Sequence, residues 1–182
     1  MDTWVWILIV AAAVVVLALL AWWWSGRRRT HGLQEEFGPE YDRAAADAPS
    51  KREAEADLLD RQKRREQFDI MPLSPTSRDR YLRSWETTQA RFVDDPGGAV
   101  EEADELIQQV MRERGYPVED FDQRAADLSV DHSDLVENYR SGHAVAVRNR
   151  EGETETEDLR QAFVHYRALF EELVETRERS EV

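Results

Sequence analysis

Apolar residues fall in two regimes along this chain. Residues 4–24, WVWILIVAAAVVVLALLAWWW, are apolar without exception, whereas further on apolar positions recur every three or four residues among charged ones. At about 1.5 Å of rise per residue, a helix of these 21 residues spans roughly 31 Å, the hydrocarbon thickness of a bilayer. The pattern predicts a single transmembrane helix. Trp4 and Trp6 at one end and Trp22, Trp23 and Trp24 at the other suit the two water–lipid interfaces, where indole rings partition. No basic segment precedes the run and no A-x-A site closes it, so the reading is an uncleaved anchor rather than a signal peptide. Arg27, Arg28 and Arg29 follow the run and only Asp2 carries charge before it, which predicts the N-terminus outside and the C-terminal domain in the cytoplasm. Those arginines would each gain on the order of 1 kcal/mol from anionic headgroups.

Beyond the span, glycine and proline in SGRRRTHG, FGP and AAADAPS interrupt any helical period, so residues 25–49 read as a juxtamembrane linker with one helical turn near Tyr41. Ser50 and Glu53 stand at capping-box spacing and open a charged stalk helix over 50–70. Its apolar positions are chiefly Leu58 and Leu59. Asp57 with Arg61 and Asp60 with Arg64 add favourable i, i+4 pairs. The stalk reads as solvated, or as half of a coiled coil, with RQKRR at 61–65 a solvated face rather than a lipid contact.

A soluble helical domain is expected over 74–179. Ser74 then Pro75 fits an N-cap followed by the first helical position, and Tyr81, Trp85, Thr88 and Phe92 form one stripe. Asp95 caps the next helix, whose inward face is Ala99, Val100, Ala103, Leu106, Ile107, Val110 and Met111 and whose end is marked by Arg112, Arg114, Gly115 and Pro117. A short helix follows, with Val118, Phe121, Ala125 and Leu128 inward. The stretch SVDHSDLVENYRSGH at 129–143 then reads as a capped helix start: Asp131 at N-cap, Asp134 at N3, and Val130 stapled to Leu135. Val136, Tyr139, His143, Ala146 and Val147 continue that face, and Gly142 with RNREGETET brings the helix to a close. Thr154 and Glu157 repeat the capping-box spacing before a last helix built on Leu159, Ala162, Phe163, Tyr166, Phe170, Leu173 and Val174, with His165 solvated off the stripe. Two-residue alternation is nowhere sustained. The fold class is therefore all-α: one N-terminal transmembrane helix, a linker and stalk helix, then a small helical bundle.

Composition narrows the chemistry. The chain has 182 residues, a formal net charge of −14 and no cysteine. Disulfides, thiolate metal sites, thiol nucleophiles and a lipoprotein-type anchor are excluded, and the fold must rest on packing. Such acidity repels nucleic acid, so no nucleic-acid partner is expected. The 22 arginines against 2 lysines reflect GC-rich codons rather than mechanism. Gly97 and Gly98 lack the rest of a phosphate loop, and HExxH, GxSxG and a dinucleotide fingerprint are missing. His132 and His143, eleven residues apart on one expected helix, would lie roughly 16 Å apart along it and share no metal. No catalytic residue, cofactor or metal ligand is assigned.

Four segments, FGPEYDR at 37–43, RFVDDPGGAV at 91–100, VMRERGYPVEDFDQRAADLSVDHSDLVENYR at 110–140 and TEDLRQAFVHYRALFEEL at 156–173, together resemble an uncharacterised family of small bacterial proteins, many with an N-terminal membrane span. The resemblance covers most of residues 35–174. It implies a bacterial source and carries over no activity, ligand or functional residue. The expectation is a bacterial cell-membrane protein that holds lipid through its span and binds an unidentified protein through its helical domain, rather than an enzyme. Two alternatives stand beside it: an enzyme whose site gathers around Tyr139, Arg140 and His143 near YPVEDFDQR, and a lipid-surface sensor using Arg27–Arg29 and Arg61–Arg65.

Overall fold

The structure, a computed structural model, describes residues 27–175 together with Trp4, Val16 and Leu17. The predicted span at 4–24, with Trp6, Trp22, Trp23 and Trp24, otherwise lies outside the described residues. Trp4, Val16 and Leu17 are exposed. Among the described residues every regular element is a helix, and no helix is long and apolar enough to cross a membrane. The order is α1 (27–37), α2 (Pro39–Asp47), α3 (Lys51–Arg65), α4 (Pro75–Arg91), α5 (Pro96–Arg114), α6 (Phe121–Asp131), α7 (Val136–Arg150) and α8 (Thr156–Glu175).

Helix α8 is the axis of the bundle. It packs on α5 along one side and α7 along another, and touches α4. Its buried stripe includes Leu169 besides the seven positions expected from the periodicity. All seven expected core positions of α5 are buried, and Trp85 of α4 stacks on Phe163 and Phe170 with ring centroids 5.0 and 4.5 Å away. These faces close one core because their apolar residues recur at three and four positions and so line up on single faces. Caps agree with the spacing: Ser74 Oγ accepts from the Ser77 N–H at 3.0 Å and Asp95 Oδ1 from the Gly98 N–H at 2.9 Å. Gly142, expected to help end α7, instead sits inside it. A Cβ there would come 2.9 Å from the Tyr166 ring, so the missing side chain lets α7 and α8 approach. Val147 points away from the core, and Val145 packs on it instead.

A second, smaller core lies at the N-terminal side, and it overturns the linker reading of 25–49. Leu33 and Phe37 of α1, Tyr41 and Ala44 of α2 and Ala54 and Leu58 of α3 bury one another. Proline and glycine mark joints here, not an unstructured stretch. Gly38 adopts φ +46, a left-handed turn between α1 and α2 that an L side chain resists, and Pro39 starts α2 where its missing N–H has no intrahelical acceptor to reach. The stalk reading of 50–70 fails on the same contacts: α3 ends at Arg65 and is packed on α2 and α6. Its start is as expected, with Ser50 Oγ accepting from the Glu53 N–H at 3.3 Å.

Residues 129–143 fold differently from a single capped helix. Asp131 is the last residue of α6, His132 its C-cap, and α7 begins only at Val136, after a turn in which the Leu135 and Val136 N–H groups donate to the His132 carbonyl. Asp131 is drawn into tertiary bonds instead of capping, which removes the proposed N-cap. Thr154 likewise does not cap α8; its hydroxyl donates to Asn149 Oδ1 at 3.1 Å.

Candidate functional site

The three pocket candidates on α7 part company. Tyr139 is fully buried, and its hydroxyl accepts from Arg124 Nε at 3.1 Å. His143, one turn further on, stacks on Phe121 with centroids 3.7 Å apart and planes 7° from parallel. Arg140 leaves on another face of α7 and grips Glu40 of α2 with both terminal nitrogens. So Tyr139 and His143 meet around Phe121, while Arg140 belongs to a different cluster.

The Glu40 cluster is structural in character. Arg61 of α3 also donates to this carboxylate, at 2.7 Å, and to Ser129 Oγ of α6 at 3.2 Å. Burial pushes the Glu40 carboxyl up, but the hydrogen bonds and charges of Arg140 and Arg61 outweigh it and hold the group below the ordinary carboxylate range. Arg64 reaches Asp127 of α6 at 3.0 Å, and Arg65 reaches Asp131. The basic run at 61–65 is thus largely turned inward, as rivets between the N-terminal helices and the bundle rather than a solvated face. Arg27, Arg28 and Arg29 are exposed.

Inside the bundle a second polar cluster surrounds Asp104 of α5. His143 Nδ1 lies 3.9 Å from Asp104 Oδ1, too far for a hydrogen bond. Both atoms and the Tyr166 hydroxyl are buried and lack hydrogen-bond partners among the described residues. The second carboxylate oxygen of Asp104 accepts from Gln108 at 2.8 Å. Burial, with Asp104's charge adding, raises the Tyr139 phenol to about 12 and raises Tyr166 further still, so both stay protonated at any physiological pH. The arrangement puts an acid and an imidazole side by side but encloses them in aromatic rings.

A cleft of about 610 Å³ opens where α1 meets the α6–α7 turn and the end of α8. Asp131 is held there by Arg65 and by the Tyr116 hydroxyl at 2.6 Å, and burial with that nearby carboxylate raises the Tyr116 phenol. His132 Nδ1 stands 3.4 Å from Glu172 Oε1. Burial, then the charge of Arg114, lowers the imidazole's pKa against the pull of Glu172 and Asp131, which favours the neutral ring. Its Nε2 is buried and has no partner among the described residues. Arg114 itself donates to the backbone carbonyls of Met71 and Leu173.

Sequence reasoning missed Glu40, Asp104 and the cleft. Glu40 falls in the stretch that reads as a linker, and Asp104 stands with Glu101, Glu102 and Glu105 among acids that suit the start of α5. Only the position of Asp104 between Ala103 and the apolar Leu106–Ile107 pair hinted at an inward turn. No three His, Asp or Glu side chains converge on a metal site among the described residues. Comparison with family models, curated proteins and solved structures finds no match to this chain.

Proposed function

We propose that the chain is a membrane-tethered helical interaction module of a bacterial cell membrane, with residues 4–24 spanning the bilayer and the bundle presented in the cytoplasm to another protein. The observation that carries the reading is the short joint between tether and module. The apolar run ends at Trp24, and by residue 27 the chain is already in α1, whose Leu33 and Phe37 are locked into the N-terminal core. A module attached so closely is held within a few helical turns of the lipid surface instead of swinging on a free linker. Exposed Arg27, Arg28 and Arg29 at the joint suit anionic headgroups and set the orientation.

The inward-turned arginines at 61–65 leave the lipid-surface reading to Arg27–Arg29 alone. Separation of Arg140 from His143 removes the convergence on which the enzymatic alternative relied. The orientation is tested with reporters fused after Val182: a fluorescent protein that matures only in the cytoplasm should glow, and alkaline phosphatase, active only outside, should stay inactive. The opposite pattern contradicts the proposal. Photo-crosslinkers at exposed positions of α4 to α8 should give discrete adducts in cells, and a ladder-free blot at every position would remove the interaction role.

A further inference from the structure

We infer that the joint between the N-terminal core and the bundle is a latch opened by an anionic lipid surface, with Arg64 and Arg65 of α3 leaving the carboxylates of α6 for headgroup phosphates. The inference rests on the tether reading of residues 4–24 and adds how the module responds to the lipid beside it. The two cores are separate clusters, and Val130 of α6 is the bundle side chain that packs on the smaller one. The rest of the joint is polar. Arg64 donates to Asp127 at 3.0 Å and Arg65 to Asp131, Arg140 of α7 grips Glu40, and the Ser133 hydroxyl donates to the Glu36 carbonyl at 3.1 Å. A polar interface hydrates both faces when it parts, so relative motion of the two bodies is its expected behaviour.

The carboxylates at the joint each keep a partner on their own side once it parts. Asp127 retains Gln123 at 2.9 Å, Asp131 retains the Tyr116 hydroxyl at 2.6 Å, and Glu40 retains Arg61 at 2.7 Å. On the α3 side, opening uncovers Arg64 and Arg65 next to the already exposed Lys63. A guanidinium takes phosphate in the same forked geometry as carboxylate, so a headgroup competes directly for both arginines. Charge favours the exchange. Residues 27–65 hold ten Lys and Arg against nine Asp and Glu, so the formal net charge of −14 lies on the rest of the chain. An anionic surface therefore repels the bundle while it attracts Arg27, Arg28 and Arg29 beside the span. Thr30 donates to Glu55 at 2.7 Å and Gln62 to Glu36, which lays α3 alongside α1 in the same direction. Arg64 then stands roughly 14 Å beyond Glu55 along that two-helix layer, and a layer resting on the lipid brings both basic clusters to it.

The test uses the full chain in vesicles, with spin labels on cysteines introduced by Ala56→Cys in α3 and Val164→Cys in α8. Both positions are exposed, and the chain has no cysteine of its own. In phosphatidylcholine the pair should show one distance. With about a third of the lipid replaced by phosphatidylglycerol, a second, longer distance should appear, and the open population should rise by about tenfold. Arg64→Gln with Arg65→Gln should give the same distances in both lipids. The control Arg83→Gln with Arg148→Gln, which removes equal charge from exposed sites on the bundle, should respond as the parent does. An unchanged distance for the parent in the two lipids overturns the latch, whatever the variants do. Equal opening by inorganic phosphate in phosphatidylcholine vesicles overturns the lipid as the occupant. A chain that floats with the vesicles yet keeps one distance loses the latch and keeps the tether; a chain that does not float with them loses both.

Discussion

Glu40 shows how one side chain joins three helices. Its buried carboxylate is shared by Arg140 and Arg61, both themselves mostly covered. Glu40→Gln strands two guanidinium groups in a poorly solvated place, and the cost expected from chemical denaturation is about 3 kcal/mol. The pH dependence follows with a definite sign. A carboxyl held below its unfolded value of about 4.3 stabilises fully above that pH, and the contribution disappears as pH falls through the folded value. His132 acts at higher pH in the same direction. Its folded pKa is depressed, so the unfolded chain takes up the proton first, and stability declines as pH drops below about 6.5. Asp127 is opposed in sign, since burial raises it against the pull of Gln123 and Arg64. Denaturation midpoints should therefore fall in two stages, with the stage that begins below about pH 6.5 absent from His132→Gln; a flat profile there in the parent contradicts the assignment. Two glycines make a matched pair. Gly142→Ala should cost about 1–3 kcal/mol because a methyl meets Tyr166, whereas Gly32→Ala, with open space around it inside α1, should stabilise by up to about 1 kcal/mol.

At the scale of elements, α4, α5 and α8 were legible because one face of each is apolar over several turns and their caps sit next to it. Prediction failed where tertiary bonds compete with local ones. Asp131 has the spacing of an N-cap, but Arg65 and Tyr116 recruit its carboxylate, and α6 runs on to absorb it. The N-terminal helices were illegible for a different reason: α3 buries only Ala54 and Leu58, too few to make a stripe, and its partners Phe37 and Tyr41 are split from each other by Gly38 and Pro39. No local window contains enough of that core to reveal it. Leu58→Ala should cost about 2–5 kcal/mol. Its signature should be local: amide exchange rises across α1 to α3 while α5 and α8 keep their protection. Uniform loss of protection would mean that the two cores unfold as one.

For the whole molecule, the Arg64–Asp127 and Arg65–Asp131 ion pairs and the Arg61–Ser129 hydrogen bond fasten the N-terminal core to α6, and the Arg140–Glu40 pair fastens it to α7, so whatever holds α1 holds the bundle. Charge decides the rest of the picture. With a formal net charge of −14, the bundle is repelled by an anionic lipid surface, and the arginines at 27–29 lie where chain and lipid would meet. The candidate site was partly legible on this scale: α7 was singled out, but its Arg140 pairs with Glu40 and its His143 lies beside Asp104, 100 and 39 residues away in sequence. The central claim is the tether, and alkaline carbonate extraction of membranes from cells making the full chain tests it most directly. The account predicts that the protein stays in the membrane pellet, while a chain lacking residues 1–24 is released. Release of the full chain into the carbonate supernatant would contradict it.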